Sequence, residues 1–324
     1  MRIIYALLFL ALFSCKGDDK YILNPSVGKL NKILIVTKGN DWDGNIGKAL
    51  RNTFGERQVG LPQPEPILSV SQLDPKGFGS MMKYHRNVFF VTRSEQEAFV
   101  IKHDIYARPQ TLIYLQAKDE ASILKLFEKH KSTIVKTFLA SDVKYVQGLF
   151  RKERLDDSQY KTLQNLGISL TINKNFKTVD DTGEFLWLRQ HLLSGIAKTG
   201  SNNILVYSLP LTNEDKIADN ISRVRDSIGK IYIPGSREGM YMITEEAYTP
   251  YTFDTEIAGR KAYETRGKWE VKNDFMAGPF LNYTIVDKPN NRIIVFEGFT
   301  YAPSINKRAF IFELEAIGRS MKIQ

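Results

Sequence analysis

Apolar residues run unbroken from Ile3 to Phe13, and no later run in the 324 residues approaches that length. Eleven residues are too few to cross a hydrocarbon core of ~30 Å, which takes about 20 in a helix. Past the polar stretch that follows, the pattern breaks into short periodic segments. Lys32 to Thr37 is a β-branched run that predicts a buried strand. Asp41 or Asp43 then caps a helix carrying Ile46, Ala49, Leu50 and Phe54 on one face, ended by Gly55. Ile67 to Val70, Val88 to Thr92 and Thr111 to Gln116 predict three more strands, and Phe99 to Arg108 an edge strand or loop, since Pro109 cannot donate to a ladder. From Asp119 a helix carries Ile123, Leu126, Phe127, His130, Ile134 and Phe138 at helical spacing. A second helical stretch passes through Val143, Val146 and Phe150 and, beyond Asp157, through Tyr160 and Leu163 to Gly167.

The pattern changes near Asn165. Ile168 to Ile172, Phe185 to Arg189 and Asn203 to Leu209 predict strands. Asn213 caps a helix whose stripe, Ile217, Ile221, Val224 and Ile228, ends at Gly229. Lys230 to Ile233 begins another strand. Phe280 to Asp287 and Arg292 to Tyr301 form a hairpin about Pro289, Asn290 and Asn291, and a last helix runs from about Lys307 to Met321. Both halves mix strands with helices on one face. The expectation is an α+β fold: two sheet-and-helix sandwich domains, 29–165 and 166–324, behind a signal segment (1–14) and a tether (15–28).

Composition changes this picture little: 43% apolar and 25% charged residues are ordinary for a chain that buries a core. A net charge of +9 would draw the surface to phosphate-bearing lipid or lipopolysaccharide, or is simply scattered for solubility. No basic cluster is dense enough for nucleic acid. Cys15 is the only cysteine, so no disulfide or thiolate metal site forms within the chain. His85, His103, His130 and His191 fall in different elements with no metal-like spacing. Serine-elbow, phosphate-loop and EF-hand patterns are absent, and Gly77-Phe78-Gly79 lacks the third glycine of a dinucleotide loop. The sequence thus calls for no cofactor and no metal. Among paired carboxylates, Glu245 and Glu246 point to opposite faces if in a strand, Asp180-Asp181 reads as a turn, and Asp156-Asp157 as a helix start.

The segment from Tyr241 to Tyr301 holds twelve of the 37 aromatic residues, interleaved with glycines and near Arg237, Arg260 and Arg266. Such rings either fill a two-layer core or offer a platform for a glycan or protein partner. The candidate contacts are Arg237, Tyr241, Trp269, Phe275 and Tyr301. Arg237 in a Pro-Gly loop and Trp269 among charges are the first choices as exposed residues.

The N-terminus adds an address. Met1 and Arg2, the apolar run, and then Leu12, Phe13, Ser14 and Cys15 resemble a secretory signal closed by the lipobox of bacterial lipoproteins. The resemblance implies acylation at Cys15, palmitate among its chains, and a bilayer as a standing partner. Lys16 to Lys20, with Asp18 and Asp19, is similar to the export signal that carries Bacteroidota lipoproteins to the surface of the outer membrane. Together with IPGSREGMYM (233–242), RGKWEVKNDFMAGPF (266–280) and FEGFTYAPSINKR (296–308), these features resemble a family of Bacteroidota cell-envelope lipoproteins known as a domain of unknown function. That resemblance implies a cell-envelope lipoprotein and carries over no catalytic residue, and the export-like stretch makes the outer membrane the expected location. The expected role is non-catalytic binding of an envelope protein or glycan, with an envelope hydrolase acting on glycan or peptide as the alternative.

Overall fold

The computed structural model describes residues 23–192 and 199–324. The apolar N-terminal run, Cys15 and the first part of the tether lie outside the described residues. Chain order in the first half is β1 (Asn24–Pro25), β2 (Lys32–Val36), α1 (Gly39–Asp43), α2 (Asn45–Phe54), β3 (Ser69–Leu73), β4 (Asn87–Arg93), β5 (Ala98–His103), β6 (Ala107–Arg108), β7 (Thr111–Ala117) and α3 (Glu120–Lys152). The second half comprises α4 (Lys161–Leu166), β8 (Ile168–Ser169), β9 (Lys177–Asp181), β10 (Phe185–His191), β11 (Ser201–Pro210), α5 (Ile217–Tyr232), β12 (Met242–Thr244), β13 (Tyr251–Ile257), β14 (Arg260–Val271), β15 (Ala277–Asp287), β16 (Arg292–Tyr301), α6 (Arg308–Gly318) and β17 (Lys322–Ile323). The fold is α+β.

The first sheet is five-stranded, in the order β3-β2-β4-β7-β5. The first four strands are parallel, and β5 adds an antiparallel edge beside β7. α2 and the first part of α3 cover one face, burying Ile46, Leu50, Phe54, Ile123, Phe127 and Phe138 against Ile33, Phe89 and Ile113. The other face carries a smaller cluster, with Phe78 and Leu73 over Leu34 and Val88. Gly44, not Asp41 or Asp43, stands at the N-cap of α2. Asp41 lies in α1, where its Oδ1 accepts from Arg93 at 2.6 Å.

The second sheet has eight antiparallel strands: β12-β14-β15-β16-β11-β10-β9, with β13 beside β12 along β14. Helices cover both of its faces, which corrects the expectation of one covered face. Strand alternation explains the need, because both faces of β15 and β16 are apolar: Leu281, Tyr283 and Ile285 on one, Phe280 and Val286 on the other. α6, α4 and the end of α3 bury the first set, and α5 buries the second. Tyr160 and Leu163, on the N-terminal side of the boundary read near Asn165, pack in this second core.

The expected helix from Asp119 and the Val143 to Phe150 part of the second stretch are one helix of 33 residues, capped by Asp119 Oδ1 accepting from the Ser122 N–H at 2.8 Å, while the part toward Gly167 is the separate α4. Ile123 to Phe138 face the first sheet, whereas Val143, Val146 and Phe150 belong to the second core. At the changeover, Asp142 is fully buried and accepts from Arg86 Nε at 2.6 Å, Asn87 Nδ2 at 2.9 Å and the Asn31 N–H at 2.7 Å. The two halves are also joined where Glu65 accepts from the backbone N–H groups of Lys307 and Arg308 and so caps α6.

α5 runs three residues past Gly229, through the expected strand start at Lys230. Tyr232 continues the stripe one turn beyond Ile228 and stacks on Phe185 at 4.0 Å. Gly229 is not a stop but a contact: a Cβ there would lie 2.1 Å from the Met242 carbonyl oxygen. The expected strand at Ile168 to Ile172 keeps only its first two residues in β8, and Asp180-Asp181 closes β9 instead of forming a turn.

Candidate functional site

The aromatic segment builds β12 to β16, and alternation along these strands decides which rings face out. Lys268 and Glu270 point to one side of β14, so Trp269 and Val271 point to the other, into the core. Trp269 is 2% exposed. Its indole N–H donates to the Thr300 carbonyl at 3.3 Å and its ring meets Phe299 edge-on at 5.4 Å. Trp269 is therefore a core residue, contrary to the expectation of an exposed contact. Tyr301, half-buried, lies beside it at 6.4 Å.

The remaining candidates lie toward one end of the sheet. β14 and β15 are joined by a tight turn in which the Val271 N–H donates to the Met276 carbonyl at 2.8 Å and the Asp274 N–H to the Val271 carbonyl at 3.0 Å. Asn273 takes the left-handed conformation that the reversal needs, φ 62°. This turn projects Phe275 wholly into solvent, at 103% relative exposure, with Met276 beside it at 38%. Tyr241 is tied to the same turn, because its carbonyl accepts from the Lys272 N–H at 2.9 Å. The ammonium groups of Lys272 and Lys230 stand 5.6 and 5.8 Å from the Tyr241 ring. Arg237 is exposed in the loop before β12, which is closed by Gly235 N–H donating to the Met240 carbonyl at 2.8 Å. The structure thus gathers Phe275, Tyr241 and the Arg237 loop on one basic, aromatic tip, with Tyr301 half-buried behind it and Trp269 holding it from within.

Sequence reading missed two buried polar networks, one on each side of this sheet. On the α6 side, Arg266 donates to Glu264 and Glu315, both at 2.6 Å, while Arg319 donates to the second oxygen of Glu264 at 2.7 Å and to Glu315 at 3.2 Å. Burial pushes the Glu315 carboxyl up, but Arg266, Arg319 and Arg308 outweigh it and hold it down at about 2. Glu264, Glu315 and Arg319 line a groove of about 560 Å³ between α3, β13 and α6, with Lys136 and Lys144 opposite. On the α5 side, Arg225 sits under its own helix, with its Nε 2.9 Å from Glu297 and its guanidinium 4.0 Å above the Phe280 ring. Burial raises the Glu297 carboxyl despite Arg225. A signal for this network existed: Asn282, Thr284 and Glu297 interrupt the apolar phase of β15 and β16, and an interruption on a core face marks a buried polar site.

Neither network offers the proton-donor and carboxylate pair that glycoside hydrolysis uses. Both carboxylates in the groove are bound by arginines, and Glu297 is paired with Arg225. The histidines are dispersed: His130 stacks on Phe99 at 4.1 Å, and His103 Nδ1 meets Thr111 Oγ1 at 3.3 Å. Among the described residues, no three His, Cys, Asp or Glu side chains are grouped to hold a metal, and no helix is long and apolar enough to cross a membrane.

The family described as Domain of unknown function (DUF4837) matches residues 155–320. A second, Domain of unknown function (DUF8532), matches residues 26–151. None of the curated proteins matches the chain. Among solved structures, the chain is similar to the Ran-binding protein Mog1p of Saccharomyces cerevisiae, at 9% identity and a TM-score of 0.33, over 48% of this chain and 90% of that one. It is also similar to LpqN of Mycobacterium tuberculosis, described as involved in cell envelope biogenesis, at 8% identity and a TM-score of 0.31, over 48% of this chain and 82% of that one. A protein of Bacteroides thetaiotaomicron is similar at 9% identity and a TM-score of 0.26, over 49% of this chain and 46% of that one. Likenesses at this level assign no activity to the chain.

Proposed function

We propose, for a chain that belongs to the family described as Domain of unknown function (DUF4837), a role as a lipid-anchored protein of the Bacteroidota outer membrane that binds an envelope protein or glycan. One observation carries the binding reading: Phe275 stands fully exposed on a hairpin turn whose backbone hydrogen bonds fix its position. A rigid ring offers contact area with little entropy to lose, and the neighbouring Tyr241 and Arg237 are of the types that dominate interface energetics. The anchor reading is supported by the sequence, where the only cysteine closes a lipobox-like stretch after a short apolar run. The two family matches, which part between residues 151 and 155, support two domains joined at the end of α3. Display on the outer face of the membrane would place the tip within reach of extracellular partners.

The groove lined by Glu264 and Glu315 favours a second reading, an envelope hydrolase acting on glycan or peptide. A carboxyl held near 2 by three arginines stays ionised at neutral pH and cannot donate the proton that a leaving group needs, which counts against it.

A photo-cross-linking residue placed at position 275 on intact cells tests the binding role, with one at Val179, 44% exposed on β9, as control. The expected result is a discrete adduct from position 275 alone, lost when Arg237→Glu is added. No adduct, or the same adducts from both positions, would overturn it.

A further inference from the structure

A cavity of about 180 Å³ lies between the first turns of α5 and the sheet, opening to solvent beside the loop that leads into the helix. Its walls are apolar, with Ile221 and Val224 of α5 facing Ile293 of β16. Its floor is polar, formed by Tyr207 of β11 and Thr284 of β15. Lys216 and Arg223 stand exposed at its mouth. Neither cation has a carboxylate partner among the described residues.

Tyr207 is 3% exposed, yet its hydroxyl makes no hydrogen bond among the described residues. That oxygen is not sealed from solvent but opens into the cavity, where a bound molecule can pair with it. Burial, and then the nearby Glu297 charge, keep that phenol protonated and able to donate. Across Val295 from it, Thr284 Oγ1 donates to Asn282 Oδ1 at 2.9 Å, and Asn282 Nδ2 donates to Glu297 at 3.1 Å. That chain, closed by Arg225, commits the Thr284 proton and leaves its oxygen free to accept. The floor therefore offers a donor and a fixed acceptor on one face of the sheet, flanking Val295. Apolar walls around a few convergent polar groups are the usual composition of a small-molecule site. The size is set by comparison: an apolar cavity of about 150 Å³ takes a benzene ring.

We propose that this cavity binds a small organic carboxylate, one ring or a short chain in size, with a hydroxyl group against Tyr207 and Thr284 and its carboxylate between Lys216 and Arg223. The site goes beyond the aromatic tip and is independent of the anchor and of any partner there.

The test uses the purified full chain, with 4-hydroxybenzoate and p-cresol as probes, read by saturation-transfer NMR and calorimetry. The expected result is saturable binding of both probes. Tyr207→Phe should weaken both about tenfold, the effect of leaving a buried polar group unpaired. Lys216→Glu combined with Arg223→Glu should weaken 4-hydroxybenzoate about tenfold and leave p-cresol unchanged. Val224→Trp, which fills the space between helix and sheet, should abolish both; if its circular dichroism shows loss of fold, Ile293→Phe on the opposite wall serves as the block. No saturable binding up to about 10 mM, where even weak specific sites fill, would show a cavity holding water only and overturn the proposal. Binding that survives the wall substitutions, or that ignores Tyr207→Phe, would do the same.

Discussion

Replacing Glu313 with glutamine should make the protein more stable at alkaline pH and change it little in acid. Glu313 lies on α6, three residues after Phe310, which packs against Leu192 and Ala302. Its carboxylate has no ion pair or hydrogen bond among the described residues, and burial alone raises its pKa from 4.5 to about 7. A folded-state pKa above the unfolded value means that the native chain holds the proton more tightly. The associated stability is complete below about 4.5 and is lost as pH rises through about 7. At 1.36 kcal/mol per unit, the ionised carboxylate costs the native state about 3 kcal/mol at pH 8 and under about 1 kcal/mol at pH 5. Glutamine keeps the shape and cannot ionise. Urea unfolding of both proteins, followed by circular dichroism, should therefore place Glu313→Gln about 3 kcal/mol above the parent at pH 8 and within about 1 kcal/mol at pH 5. The difference between variants isolates this residue, because the other carboxylates titrate alike in both. Equal stabilities at pH 8, or the same offset at both pH values, would refute the reasoning.

Three further outcomes follow from the packing. Arg225→Met leaves Glu297 as a lone buried carboxylate and should destabilise the fold by about 3–5 kcal/mol in denaturant titration, while adding Glu297→Leu should restore most of the loss. Gly229→Ala drives a methyl group into the Met242 carbonyl and should cost about 1–3 kcal/mol, with α5 and β12 losing hydrogen-exchange protection first. Glu65→Ala removes the cap that the first half supplies to α6 and should cost about 1–2 kcal/mol, again read by urea unfolding.

The elements that read correctly from sequence were those in which local and tertiary demands agree. Asp119 announces the start of α3 because its side chain satisfies an N–H that the helix leaves open wherever it packs. The end of the same helix was not legible. Its apolar stripe jumps from Phe138 to Val143, which reads as a break, but the phase shifts because the helix leaves one core and enters another at the buried Asp142. Gly229 misled for a related reason: glycine stops helices when nothing else requires it, and here a neighbouring strand requires it. At the candidate site, Phe275 was legible only as one of the aromatics of its segment, and the turn that exposes it went unread. Trp269 was misread because its charged neighbours were taken as its surroundings, although in a strand adjacent residues face opposite ways. The same alternation, applied to Asn282, Thr284 and Glu297, would have located the polar floor beneath α5. Its pairing with Arg225 and Tyr207 brings α5 and β11 onto strands far along the chain and has no local signature.

Membrane attachment of this protein turns on whether Cys15 carries hydrocarbon. Cells expressing the parent or Cys15→Ser, fed an alkyne-bearing palmitate and then fractionated with a high-salt wash, give the direct reading. The parent should be labelled and stay with the membranes, and the serine variant should be unlabelled and released. A serine variant that still sediments with washed membranes, or a parent without label, would contradict it.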